Sequence, residues 1–281
     1  MIRHYSILLP FNNVQPTAAV LQAALQMVGS QGYIEGAFCR QVLPIIAGEG
    51  ITLPGDYLAE FEEEGRQQAE AARLKYFELL EANNIPLGEI DGSGLRADWN
   101  DRAGSGPEAI GEYARQFDLV IVSRSIEHSA VDWRTTAEAV MFDSGRPLLI
   151  VSDKIPTTIG RRVLLAWNGS TETARTLTGA MSILTDVDEV LVVTVKGDGV
   201  SGPTGEDMRR HLQAGGISSE AWTIDRGNKS TAQAFLDAAN QFSADLIIKG
   251  AFTHSRLRQL IFGGPTSELI STCPLPILLS H

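Results

Sequence analysis

The stretch IIKGAFTHSRLRQLIFGGPTSELI, residues 247–270, holds the side chains whose types and spacing best suit chemistry. An apolar run ends at Gly250, a glycine pair follows at Gly263 and Gly264, and Thr266 and Ser267 stand where a helix begins. Glycines let a backbone approach a ligand closely, and a helix N-terminus favours an anion. The chemistry such a layout serves is phosphate binding, with His254, Arg256 and Arg258 inside the loop to neutralise charge. The competing reading is structural: the glycines shape a strand-to-helix turn under a solvated basic loop.

Other constellations are weaker. RGNKSTAQ (226–233) contains Gly-x-Lys-Ser rather than Gly-Lys-Ser and lacks the upstream glycine of a P-loop, so Ser230 reads as a helix cap. The carboxylates of AEFEEEG (59–65) suit the first turns of a solvated helix. The five histidines are scattered with no HxxxH or HExxH spacing, so no metal site is expected. NGSTE is not a nucleophile elbow, and no residue presents itself as a catalytic base or nucleophile. Trp99 and Trp133 stand in loop-like sequence, as pocket walls or as packing beneath the loops.

The elements that would position these residues come from an ordinary globular balance: 281 residues, 43% hydrophobic and 20% charged. The net charge of −11 argues against nucleic-acid binding. Two cysteines without metal or redox spacing, Cys39 and Cys273, read as buried small hydrophobes in a reducing compartment. MIRHYSILLP lacks the layout of a signal peptide, and no apolar run approaches the roughly 20 residues that span a bilayer. A cytoplasmic protein without membrane contact is expected.

The chain repeats itself. YSILLPFNN (5–13) resembles RRVLLAWNG (161–169), FDLVIVSR (117–124) resembles ADLIIKGA (244–251), and RPLLIVS (146–152) resembles LPILLSH (275–281), in the same order. Helical patterns lie between them at 17–28, 56–84, 105–117, 171–184, 204–216 and 230–242. Ser105 with Glu108, and Ser230 with Gln233, read as matching capping boxes. Continuous Val/Ile/Leu strands alternating with helices indicate parallel sheets covered on both faces. The expected fold is α/β, with two tandem doubly wound, Rossmann-like domains, each a mostly parallel five-stranded sheet flanked by helices. Their expected extents are 1–152 and 161–281, joined by the linker 153–160.

Together these landmarks resemble the universal stress protein family in its tandem two-domain form, over nearly the whole chain. The strongest pieces are LLAWNGSTETARTL and the segment from ADLIIKGA to the C-terminus. The family signature is glycine, two residues, glycine, nine residues, glycine, then Ser or Thr. Gly250 and Gly263 match its first and third glycines, Thr253 replaces the second, and Gly264 stands at the hydroxyl position with Thr266 and Ser267 just beyond. The matching loop of the first half, 123–142, lacks the signature glycines, so that half is degenerate.

The resemblance implies a stress-response regulatory or binding protein rather than an enzyme. It implies one degenerate adenine-nucleotide site, for ATP with Mg, in the second half. The residues it implies for that site are Asn168 (where ATP-binding relatives carry Asp), Val193, Gly250, Thr253, Gly263, Gly264, Thr266 and Ser267. A nucleotide-independent protein-interaction scaffold and a slow ATPase are the alternatives. The family's pairing through last strands implies an intramolecular pseudo-dimer, protein partners, and room for a homodimer of chains.

Overall fold

A computed structural model describes residues 5–11, 17–40, 55–89, 94–101, 106–124, 133–184, 186–251 and 264–280. In the first half the strands are β1 (Tyr5–Phe11), β2 (Gly32–Phe38), β3 (Leu95–Asn100), β4 (Leu119–Ser123) and β5 (Leu148–Val151). Its helices are α1 (Ala18–Val28), α2 (Gly55–Ala82), α3 (Pro107–Tyr113) and α4 (Trp133–Ala139), the last running on into a π-turn. In the second half the strands are β6 (Arg162–Ala166), β7 (Glu189–Val195), β8 (Ser219–Ile224), β9 (Leu246–Gly250) and β10 (Ile277–Ser280). Its helices are α5 (Thr171–Ile183), α6 (Gly205–Ala214), α7 (Thr231–Phe242) and α8 (Gly264–Thr272).

All ten strands form one sheet in the order β3-β2-β1-β4-β5-β10-β9-β6-β7-β8. Pairing is parallel within each half and antiparallel only at β5–β10. The strands are apolar on both sides because helices cover both faces. Ile7, Leu9 and Ile121 face one buried cluster, and Leu8, Val120 and Val122 face the other. Each cluster continues into the second half, through Val163, Leu165 and Ile248 on one face and Leu164, Val193 and Ile247 on the other.

The registers make the repeat quantitative. Ile7 pairs with Ile34 and Leu119, and Val163 pairs with Val190 and Leu246. Hence Glu35 corresponds to Leu191, Ser123 to Gly250 and Arg124 to Ala251. At the seam Leu149 pairs with Leu278, and these are themselves equivalent, so a pseudo-twofold axis passes between them. No residue from Leu148 to Val151 or from Ile277 to Leu279 is more than 3% exposed. Each strand therefore covers what would otherwise be an apolar sheet edge.

Asp118 and Asp245 also correspond, and both fasten the start of a first strand. Asp118 accepts from the Ser6 amide at 3.0 Å and hydroxyl at 3.1 Å. Asp245 accepts from the Thr158 hydroxyl and from the amides of Gly160, Arg161 and Arg162, at 2.6–3.1 Å. Four donors satisfy a buried carboxylate and hold the connection between the halves in place.

Three local expectations change. Helix α3 starts at Pro107 with Gly106 as its N-cap at φ +87° and no side-chain cap; Ser105 lies outside the described residues. Proline at the first position needs no amide partner, and the glycine supplies the turn. Ser230 does cap α7, but Gln233 bonds Asp237 instead of returning to the cap, so the box is incomplete. The reciprocal box is Thr204 with Asp207, on α6. Trp99 belongs to strand β3, stacked on Phe11 with centroids 5.9 Å apart, and the buried Trp133 opens α4.

Candidate functional site

In doubly wound sheets, ligands collect at the carboxyl ends of the strands where the strand order reverses. In the second half that point lies between β6 and β9, flanked by the loop after β7. Asn168 follows β6 by two residues, and its side chain turns inward. Its Oδ1 accepts from the Ser170 amide at 3.2 Å and from the Thr173 hydroxyl at 2.7 Å. Ser170 caps α5 by accepting from the Thr173 amide at 3.2 Å. The α5 N-terminus is thereby fixed two residues beyond Asn168.

Gly250 ends β9 beside that N-terminus. A Cβ at Gly250 would lie 2.4 Å from the Thr173 nitrogen and 2.6 Å from its hydroxyl. Only glycine lets the helix and the strand end meet this closely. A second close approach joins the loops after β6 and β7. A Cβ at Gly202 would lie 2.3 Å from the Gly169 carbonyl oxygen. The Val200 amide donates to the Asn168 carbonyl at 2.9 Å, and Trp167 Nε1 donates to the Pro203 carbonyl at 2.8 Å.

Beside Gly250 stands Lys249, half-buried. Burial pushes its ammonium below the usual lysine range, and the Asp198 carboxylate opposes that shift. Asp198 accepts a hydrogen bond from Thr231 at the start of α7. Ser230, the α7 cap, donates to Glu268 of α8 at 2.6 Å. The N-terminal ends of α5, α7 and α8 thus gather round the ends of β6, β7 and β9, and the first turn of α8 carries no acidic residue. Partial positive charge at helix starts together with a half-buried ammonium favours an anion.

Of the residues expected from sequence, Asn168, Gly250, Gly264 and Ser267 stand in these carboxyl-end segments. Thr266 lies in the first turn of α8. Val193 lies on β7 with its side chain fully buried in the core. Thr253 and Gly263, with His254, Arg256 and Arg258, lie outside the described residues. Sequence reasoning passed over Asp198, Thr231 and the Gly169–Gly202 contact. The signal available was the glycine-rich run KGDGVSGPTG after β7.

Among the described residues no group of three or more His, Cys, Asp or Glu is placed to hold a metal ion. No described helix is long and apolar enough to cross a membrane.

Residues 160–281 match the model of the universal stress protein family. A universal stress protein from Archaeoglobus fulgidus is 20% identical, with a TM-score of 0.66 over 98% of this chain and 96% of its own. A Pseudomonas aeruginosa protein described as functionally unknown is 14% identical, with a TM-score of 0.53 over 99% of this chain and 92% of its own. No curated protein matches the chain. The similarity to the universal stress protein family thus lies in residues 160–281, and the residues before them repeat the same fold.

Proposed function

We propose that this protein is a stress-response regulator that acts by binding, and that its second half takes an adenine nucleotide, ATP with Mg, at the carboxyl ends of β6 and β9. The observation that carries this reading is the half-buried Lys249 beside Gly250, with helix N-termini gathered round it. A desolvated ammonium and helix starts suit phosphate oxygens. Lys249, Gly264 and Ser267 are the residues that would hold the phosphates. Magnesium would supply charge neutralisation between them. Asn168 would serve by holding the α5 N-terminus rather than through its engaged Oδ1.

The test is calorimetric titration with ATP and Mg²⁺ of the wild type, Lys249→Met and Gly263→Val. Micromolar binding weakened at least about tenfold in both variants supports the proposal. No heat with a wild type of normal melting temperature overturns it.

The second reading is a nucleotide-independent interaction protein located in the cytoplasm. It is favoured by the engagement of Asn168 Oδ1 and the burial of Val193, which leave two family positions occupied by the protein itself. An unshifted melting temperature with ATP and Mg²⁺, together with a protein partner captured by the full chain, favours it.

A further inference from the structure

Helix α2 is longer than the sheet it covers. Its 28 residues span about 42 Å. Ala69, Ala72, Tyr76 and Leu80 form its buried stripe. Stepping back by three or four residues, the same stripe continues through Gly65, Phe61 and Leu58. There its cover thins: Gly65 and Phe61 are half-buried, Leu58 is 39% exposed and the neighbouring Tyr57 49% exposed.

Gly65 sharpens the point. Glycine inside a helix costs stability relative to alanine. Here no described residue comes within 4 Å of the place a Cβ would fill, so no close approach among the described residues requires glycine. What it leaves is a notch in an apolar stripe, the shape that lets a second helix cross closely. On a 3.6-residue turn, Glu64 borders the stripe on one side and Glu62 on the other. Residues 55–66 carry five carboxylates against one cation, Arg66, which is already paired with Glu63. Asp56, Glu60, Glu62 and Glu64 have no ion-pair partner among the described residues.

We propose that the first half of α2 is a docking face for a partner's amphipathic helix with lysine or arginine flanking its apolar side, crossing at Gly65. The charge selects this occupant: a second copy of α2 would set acidic edges against acidic edges, whereas a basic helix neutralises them. The inference stands independently of the nucleotide reading.

The test uses the full chain and a synthetic amphipathic helix of about 18 leucine and lysine residues as probe. Binding is followed by fluorescence anisotropy, with the melting temperature of every variant as the control on folding. Three results are expected together. Leu58→Ser combined with Phe61→Ser weakens binding about tenfold or more at unchanged net charge. Gly65→Leu weakens it without lowering the melting temperature. Glu62→Lys with Glu64→Lys weakens it and flattens its dependence on salt. Leu74→Ser, an exposed leucine on the far face of the same helix, leaves affinity unchanged. Equal binding by the Leu58/Phe61 variant means the peptide only senses net charge and overturns the proposal. Self-association of the wild type in sedimentation, abolished by the same variant, overturns it in favour of a second copy.

Discussion

The same position in the two halves, the last residue of the fourth strand, is solved in opposite ways. In the second half it is Gly250, pressed against the start of α5. In the first it is Ser123, whose buried hydroxyl has no hydrogen-bond partner among the described residues. The cause is loop length. Ser170 caps α5 two residues after Asn168, whereas Thr17 caps α1 five residues after the equivalent Asn12. A short loop drives the helix onto the strand and demands glycine, and a longer loop leaves room for a side chain.

The next residue diverges as well. Ala251 is small, while Arg124 is buried and donates to the Ile270 carbonyl of α8 at 2.6 Å. One half has spent this corner on a tight helix start that suits a ligand, and the other on a contact between halves.

Substitutions break the comparison in a graded way. Gly250→Val is expected to have the largest effect, a loss of about 3 kcal/mol or more, because its Cβ meets backbone. Ser123→Ala is expected to be neutral or mildly stabilising, since an unsatisfied hydroxyl is removed. Equal losses in chemical denaturation would sink the idea that loop length separates the two corners. Asp245→Ala, which orphans four donors, is expected to cost about 3 kcal/mol. Asp118→Ala, which among the described residues affects Ser6 alone, is expected to cost about 1 kcal/mol on the same measurement. Arg124→Ala is expected to lower stability by about 2 kcal/mol through lost packing and an uncapped carbonyl.

The smallest effect concerns the thiols. Burial pushes Cys39 up to about 12 and Cys273 to about 11; a backbone hydrogen bond and, for Cys273, the nearby Arg124 charge oppose the shift. Raised thiol values mean the folded state prefers the protonated form. This contribution is fully present below the unfolded thiol value near pH 8.5 and is lost as pH rises through about 11 and then about 12. Neither cysteine of the native chain should be alkylated at pH 8. Rapid labelling of Cys39 there would contradict the burial argument.

The sequence disclosed what depends on runs and repeats. Apolar stretches at 5–11, 119–123, 148–151 and their counterparts are strands because a twice-covered sheet leaves no polar face. Strand β3 escaped because it is an edge strand whose Arg96, Asp98 and Asn100 alternate with Leu95, Ala97 and Trp99 in a segment rich in charge. Asn168 illustrates a different limit. An asparagine after a first strand suits a ribose hydroxyl and equally suits a helix start, and its 2.7 Å contact with Thr173 is a three-dimensional fact. Lys249 reads as an ordinary strand-end cation until the enclosing protein is in place. The cap misread at Ser105 came from giving a serine precedence over the Gly106–Pro107 pair beside it.

The pairing of β5 with β10 has an evolutionary consequence. A twofold contact between separate identical chains must use every residue twice, so a change on one side is imposed on the other. In a fused chain the same contact is held at the effective concentration set by the connecting segment, and its two sides mutate separately. The Arg124–Ile270 bond shows that freedom in use, because its mirror position, Ala251, has no side chain able to return it.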